Sequence, residues 1–132
     1  MDPRLIEGIE LFNHRHYFEC HEVLERAWLT TEGRARDFYK GLIQAAVAIH
    51  HWSRGNRNGA LSLFRTSSRY LRQYRPAYLG VDVETFLQQY TDLFGWLRRH
   101  RMAYEPGVVP TIRWLAAPVS DTFSKASGGT GV

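Results

Sequence analysis

Apolar residues along this chain recur at helical rather than strand spacing. Leu5, Ile6, Ile9 and Phe12 follow Asp2-Pro3, a capping acceptor and then a residue pre-set for a first helical turn, and they predict a first helix. The pattern predicts a second helix from about Tyr17 to Leu29, a third from about Arg36 to Ser53 and a fourth from about Gly59 to Tyr74. Asp82 caps a fifth, from about Val83 to His100. Turn residues separate them: Asn13-His14-Arg15-His16, Thr30-Thr31-Glu32-Gly33, Arg54 to Asn58, and a loop bounded by Pro76 and Gly80. Pro106, Gly107 and Pro110 end the fifth. The short apolar piece Thr111 to Ala117 is expected to pack back as a helical turn. Residues 118–132 read as a flexible tail behind a single domain of residues 1–117.

The helices differ in how much of their surface is apolar. Val83, Phe86, Leu87, Tyr90, Leu93, Phe94 and Leu97 fill one arc of about 120°, so the fifth helix has one wet face. The third is apolar nearly all round, from Phe38 and Tyr39 through Leu42, Ile43 and Ala45 to Trp52, and belongs at the centre. Its Gly41, Ala45, Ala46 and Ala48 allow neighbours to approach closely. Ile9, Phe12, Cys20 and Leu24 are echoed forty positions on by Ile49, Trp52, Ala60 and Phe64, so each half reads helix, short turn, helix. The expected fold is all-α: a compact five-helix domain of two stacked antiparallel helical hairpins plus a closing helix.

The 132 residues suffice for one core. A hydrophobic share of 44% and a charged share of 23% describe a globular composition, and no apolar run reaches a bilayer-spanning length. The lone Cys20 and the absence of a secretion-type start lead to a cytoplasmic expectation, with no membrane partner. Cys20 falls on an apolar arc and reads as a packed thiol. The net charge of +4 is unevenly distributed. Residues 1–32 hold three Arg and seven acids, a charge of −4, whereas residues 54–75 hold six Arg and no acid, a charge of +6. The preferred expectation is that the two segments neutralise each other within the fold. The alternative is an anionic partner, read by a stripe of Arg65, Arg69 and Arg72 on the fourth helix; nucleic acid is the less favoured form of it.

A few polar residues interrupt apolar surfaces. On the second helix His21 lies beside Trp28 on an arc defined by Tyr17, Cys20, Leu24 and Trp28, with Glu25 one turn on and Glu22 pointing outward. On the third, Lys40, Gln44 and His51 fall within about 40° of one another. The short connection makes the two helices antiparallel neighbours, which brings Glu25 near Lys40 and His21 near Gln44. Buried polar groups need partners, so a network of His21, Glu25, Lys40, Gln44 and His51 is expected. It either fixes helix register or forms a ligand site. His21, Glu25 and His51 are donors suited to a metal, but HEVLE is not the HExxH pattern and no Glu-x-x-His pair is present, so no metal and no cofactor is predicted.

The strings GIELFNHRHYFECHEVLERAW, FYKGLIQAAVAIHHWSRGNRNGALSLF and YLRQYRPAYLGVDVETFL, in that order, resemble domain-of-unknown-function family 309 of bacteria and archaea, over about residues 5–97. The resemblance implies a small all-α domain and marks His21, Glu22, Glu25, Trp28, Gln44 and His51 as motif positions. It implies no reaction. The preferred function is a non-catalytic binding or interaction module whose partner is another protein or a second copy, with Trp96, Tyr104 and Trp114 as candidate interface aromatics. The competing readings are an enzyme using the His21, Glu25, Gln44 and His51 seam, with His as general base, and RNA or DNA binding through the Arg stripe.

Overall fold

The computed structural model of the chain describes residues 1–100 and 109–115. Five helices account for 71% of the described residues: α1 (Pro3–Asn13), α2 (Tyr17–Leu29), α3 (Ala35–Ser53), α4 (Arg57–Arg72) and α5 (Val83–Arg99). The all-α class and the two stacked hairpins plus a closing helix are as the sequence predicts. Asp2 and Asp82 cap α1 and α5 as expected, while α4 starts two residues earlier than its apolar pattern and is capped by Asn56. Asp2 accepts from the Arg4 amide at 2.9 Å, Asn56 from the Gly59 amide at 3.0 Å and Asp82 from the Thr85 amide at 3.0 Å.

α3 is the central element: α2 packs on one side of it and α4 on the other. Gly41 makes the second contact close, since a Cβ added there would lie 2.7 Å from Leu71 Cγ. α5 closes the core with Phe86, Tyr90 and Phe94, all essentially buried. Phe12 meets Phe86 edge-on at 5.6 Å, Phe64 stacks on Phe94 at 4.7 Å, and the buried Tyr90 hydroxyl bonds Ser67 at 2.8 Å.

The two hairpins turn in the same way. After α1, His16 N–H donates to the Leu11 carbonyl and Arg15 N–H to the Phe12 carbonyl, both at 2.9 Å. After α3, Asn56 N–H donates to the His51 carbonyl at 2.8 Å and Gly55 N–H to the Trp52 carbonyl at 3.0 Å. This is the Schellman closure, which needs one left-handed residue. Gly55 supplies it at φ 81° and Arg15 at φ 66°. The two turns stand forty positions apart, so the internal echo in the sequence corresponds to a repeated helix-turn-helix unit.

Two expectations are corrected. Residues 77–82 form a hairpin of β1 (Ala77–Tyr78) and β2 (Val81–Asp82), turned by Leu79 and Gly80, both at positive φ. The piece from Thr111 onward is not a helical turn in its described part. It runs extended beside β2, with Asp82 N–H donating to the Arg113 carbonyl and Leu115 N–H to the Gly80 carbonyl, each at 2.9 Å. Pro110 removes a donor, and the free backbone edge of β2 supplies partners that one helical turn would lack. Asn13 clamps the same segment, its side chain accepting from Ile112 N–H and donating to the Ile112 carbonyl, both at 2.8 Å. Ile112 is thereby buried. Trp96 and Trp114, expected at an interface, are half-buried against the core, while Tyr104 and the tail lie outside the described residues.

The two charged segments do not pair directly among the described residues. α3 lies between the acidic α1–α2 hairpin and the arginines of α4, and no ion pair among the described residues joins residues 1–32 to residues 54–75.

Candidate functional site

The arc that α2 buries is formed by Tyr17, Cys20, Val23, Leu24 and Ala27. It is rotated by about 40° from the one read in the sequence, because Val23 and Ala27 join the core. His21 and Trp28 therefore sit at its border rather than inside it, and Glu25 lies further out. His21 is half-buried, with Nδ1 3.0 Å from the Phe18 carbonyl and Nε2 3.9 Å from Glu25 Oε1. The Glu25 side chain is 53% exposed, and Glu22 is exposed. Facing them on α3, the Arg36 guanidinium lies 4.0 Å over the Trp28 ring and Lys40 Nζ lies 5.1 Å from it. Arg36 also donates to the Trp28 carbonyl at 2.9 Å and closes the end of α2. Gln44 Oε1 and Trp28 Nε1 are buried without a hydrogen-bond partner among the described residues.

The seam thus brings His21 to Glu25 and Trp28 to Lys40. His51 stands apart from it at the end of α3, its Nδ1 3.2 Å from Asn56 Nδ2. Among the described residues, no group of three or more His, Cys, Asp or Glu side chains is placed to hold a metal ion. Cys20 is buried on α2, and that burial pushes its thiol up to about 12, the setting of an inert packed side chain.

A concave surface lies at the neighbouring corner, where the α1–α2 turn meets the end of α3. A cleft of about 380 Å³ is lined there by Arg15, His16, Phe18, Glu19, His50 and Trp52, with Tyr17, Ser53 and Val109 completing it. Phe18 is 51% exposed and its ring lies 5.2 Å from that of His21 and 5.8 Å from that of His50. His50 and His51 are adjacent in sequence but serve different surroundings, as the 100° helical step requires. Sequence reasoning did not single out this corner. Its signal was the Arg in a turn whose counterpart forty residues on is Gly, followed directly by His16 and the exposed Phe18.

Fold and corner together define a small helical domain with an open, mixed polar and aromatic cleft among the described residues. Residues 5–63 match the model of DUF309, a domain of unknown function, so the resemblance carried by the sequence motifs is shown over that stretch. The chain is also 40% identical over 77 residues to the uncharacterised protein YpuF of Bacillus subtilis (strain 168). That match takes in 56% of this chain and 44% of YpuF, so the chain spans less than half the length of this relative. The seam and the cleft, apart from Val109, fall within the matched family region, whereas Arg65, Arg69 and Arg72 lie beyond it. No described helix is long and apolar enough to cross a membrane.

Proposed function

We propose that the domain is a non-catalytic binding module that takes a small planar anion in the corner cleft. The observation that carries this reading is where the cavity lies. It is lined by Phe18, Trp52 and three nitrogen-bearing side chains, Arg15, His16 and His50, which outnumber its one carboxylate, Glu19, and not by the His21–Glu25–Gln44 seam. A volume of about 380 Å³ falls in the range of small-molecule sites. The exposed Phe18 ring and the half-buried Trp52 offer stacking surfaces, and the guanidinium is suited to a carboxylate. An acid–base enzyme on the seam is less well supported. Glu25 is largely solvated and 3.9 Å from His21, a loose pair for an orienting group.

The test is an amide-resolved NMR titration with benzoate and with indole-3-acetate, each to about 10 mM, a range suited to weak fragments. The expected shifts are confined to residues 15–19, His50 and Ser53, and are lost in Arg15→Glu/His50→Ala. Absence of shifts, or shifts at Lys40 and Gln44 instead, would overturn the reading.

A further inference from the structure

The outward face of α2 carries an unusual stripe. Phe18, Glu22, Glu25 and Leu29 recur at four-, three- and four-residue steps and fall within about 60° of one another. All four are exposed, Phe18 to 51% and Leu29 to 65%. Two carboxylates thus stand between two large apolar side chains that remain at least half exposed, Phe18 with part of its ring against His21 and His50. The face that would complement this stripe is one of cations on long apolar stems.

The chain has such a face on α4. Asn58, Ser62, Arg65, Arg69 and Arg72 also recur at four- and three-residue steps and are all exposed. Arg65, Arg69 and Arg72 pair with no described carboxylate. Their nearest cationic neighbours in sequence are engaged elsewhere: Arg57 donates to the His100 carbonyl at 3.3 Å, and Arg75 meets Glu84 at 3.5 Å. The two stripes cannot meet within one molecule, because α3 is packed between α2 and α4.

We infer that the chain self-associates by seating the Phe18–Glu22–Glu25–Leu29 stripe of one copy on the Arg65–Arg69–Arg72 stripe of another. The arginine stems lie along Phe18 and Leu29 while the guanidinium groups meet Glu22 and Glu25. Segment charges of −4 and +6 supply the long-range attraction. Because the two stripes lie on opposite sides of α3, the contact runs head to tail, the α2 stripe of one copy seated on the α4 stripe of the next. The contact shares Phe18 with the corner cleft, but its charge pairing, through Glu22 and Glu25, lies outside the cleft.

The experiment is sedimentation velocity of the 132-residue chain, free of nucleic acid by its absorbance ratio, at about 200 μM in about 50 mM and about 500 mM NaCl, conditions that bracket strong and weak screening. The low-salt sample is expected to be associated, with affinity at least about tenfold weaker in high salt. The variants Arg65→Glu/Arg69→Glu/Arg72→Glu and Glu22→Lys/Glu25→Lys are each expected to be monomeric, and their equimolar mixture is expected to form the mixed complex. Should a multiple variant lose its helical circular dichroism, the single pair Arg69→Glu and Glu22→Lys replaces it. A monomeric wild type, variants that still associate, or a mixture that stays monomeric would overturn the inference. So would an Arg variant whose one defect is loss of RNA retention on a filter, which would assign the α4 stripe to nucleic acid.

Discussion

Arg15 is the residue at which fold and proposed function pull in different directions. Its backbone sits at φ 66°, in the closure that Gly55 makes in the second hairpin at φ 81°. A side chain in that region costs on the order of 1 kcal/mol relative to Gly. The strained residue is also the guanidinium that lines the cleft, and strain of this kind collects at binding sites. Arg15→Gly is therefore expected to raise stability by about 1 kcal/mol, measured by urea denaturation. The same substitution is expected to abolish the benzoate-induced shifts at residues 16–19. A variant that is less stable than wild type would show that Arg15 is held by contacts that outweigh its backbone cost. Cys20 is a contrasting case, where one residue was legible from sequence alone. Its position on an apolar arc predicted a packed thiol, and it is buried in the core.

Among the elements, α5 has its N-terminus fixed by one capping residue. Asp82 accepts from the Thr85 amide at 3.0 Å and the Thr85 hydroxyl at 2.7 Å, and Arg113 lies 3.8 Å away. The Thr85 hydrogen bonds hold its carboxyl below the ordinary 3.8, with Arg113 adding to the effect against a burial that opposes it. A carboxyl whose folded value is depressed stabilises the fold above its unfolded value and loses that contribution as pH falls through the folded one. Asp82→Ala is thus expected to cost about 1 kcal/mol at pH 7, within the range for lost caps. The gap between variant and wild type should narrow as pH drops below about 4. Denaturant midpoints measured at the two pH values check this, and a gap that is constant across them would place the contribution elsewhere.

The same element shows what was and was not legible. Its cap and its apolar arc are local features, written in consecutive residues, and both were read correctly. The extended run of residues 109–115 was not. Its conformation is set by hydrogen bonds to Gly80, Asp82 and Asn13, the last of them 99 positions away, and no local pattern encodes such partners. The polar seam was displaced for a similar reason. A helical wheel places His21 and Trp28 beside the apolar residues, but which part of the arc faces the core depends on where α1 and α3 dock. Val23 and Ala27, one of them small and neither conspicuous, turned out to be inside. The cleft was missed because it is formed by residues 15–19 together with the far end of α3, a proximity that only the closed hairpins create.

At the level of the whole molecule, the region that matches the family model and the region that makes a core are not the same length. The match covers residues 5–63 and stops inside α4. The core extends well beyond it. Phe12 and Phe64 are covered by Phe86, Tyr90 and Phe94 of α5, Ser67 is bonded to Tyr90, and Tyr74 and Tyr78 pack on Phe38 at 5.2 and 5.0 Å. A fragment ending at residue 75 would keep both hairpins but expose Phe12 and Phe64 together. Each large apolar side chain left in water forgoes about 1.5–3 kcal/mol, and a domain's whole stability is only about 5–15 kcal/mol. The fragment is therefore expected to lose cooperative unfolding, to bind a hydrophobic dye such as ANS, and to show reduced helical circular dichroism. Residues 1–115 are expected to melt in a single transition, because Ile112 fills its place in the core and Asn13 satisfies both of its backbone groups. A residue 1–75 fragment that melts cooperatively as a monomer would show instead that the two hairpins are a self-sufficient unit, with α5 added to it rather than required by it.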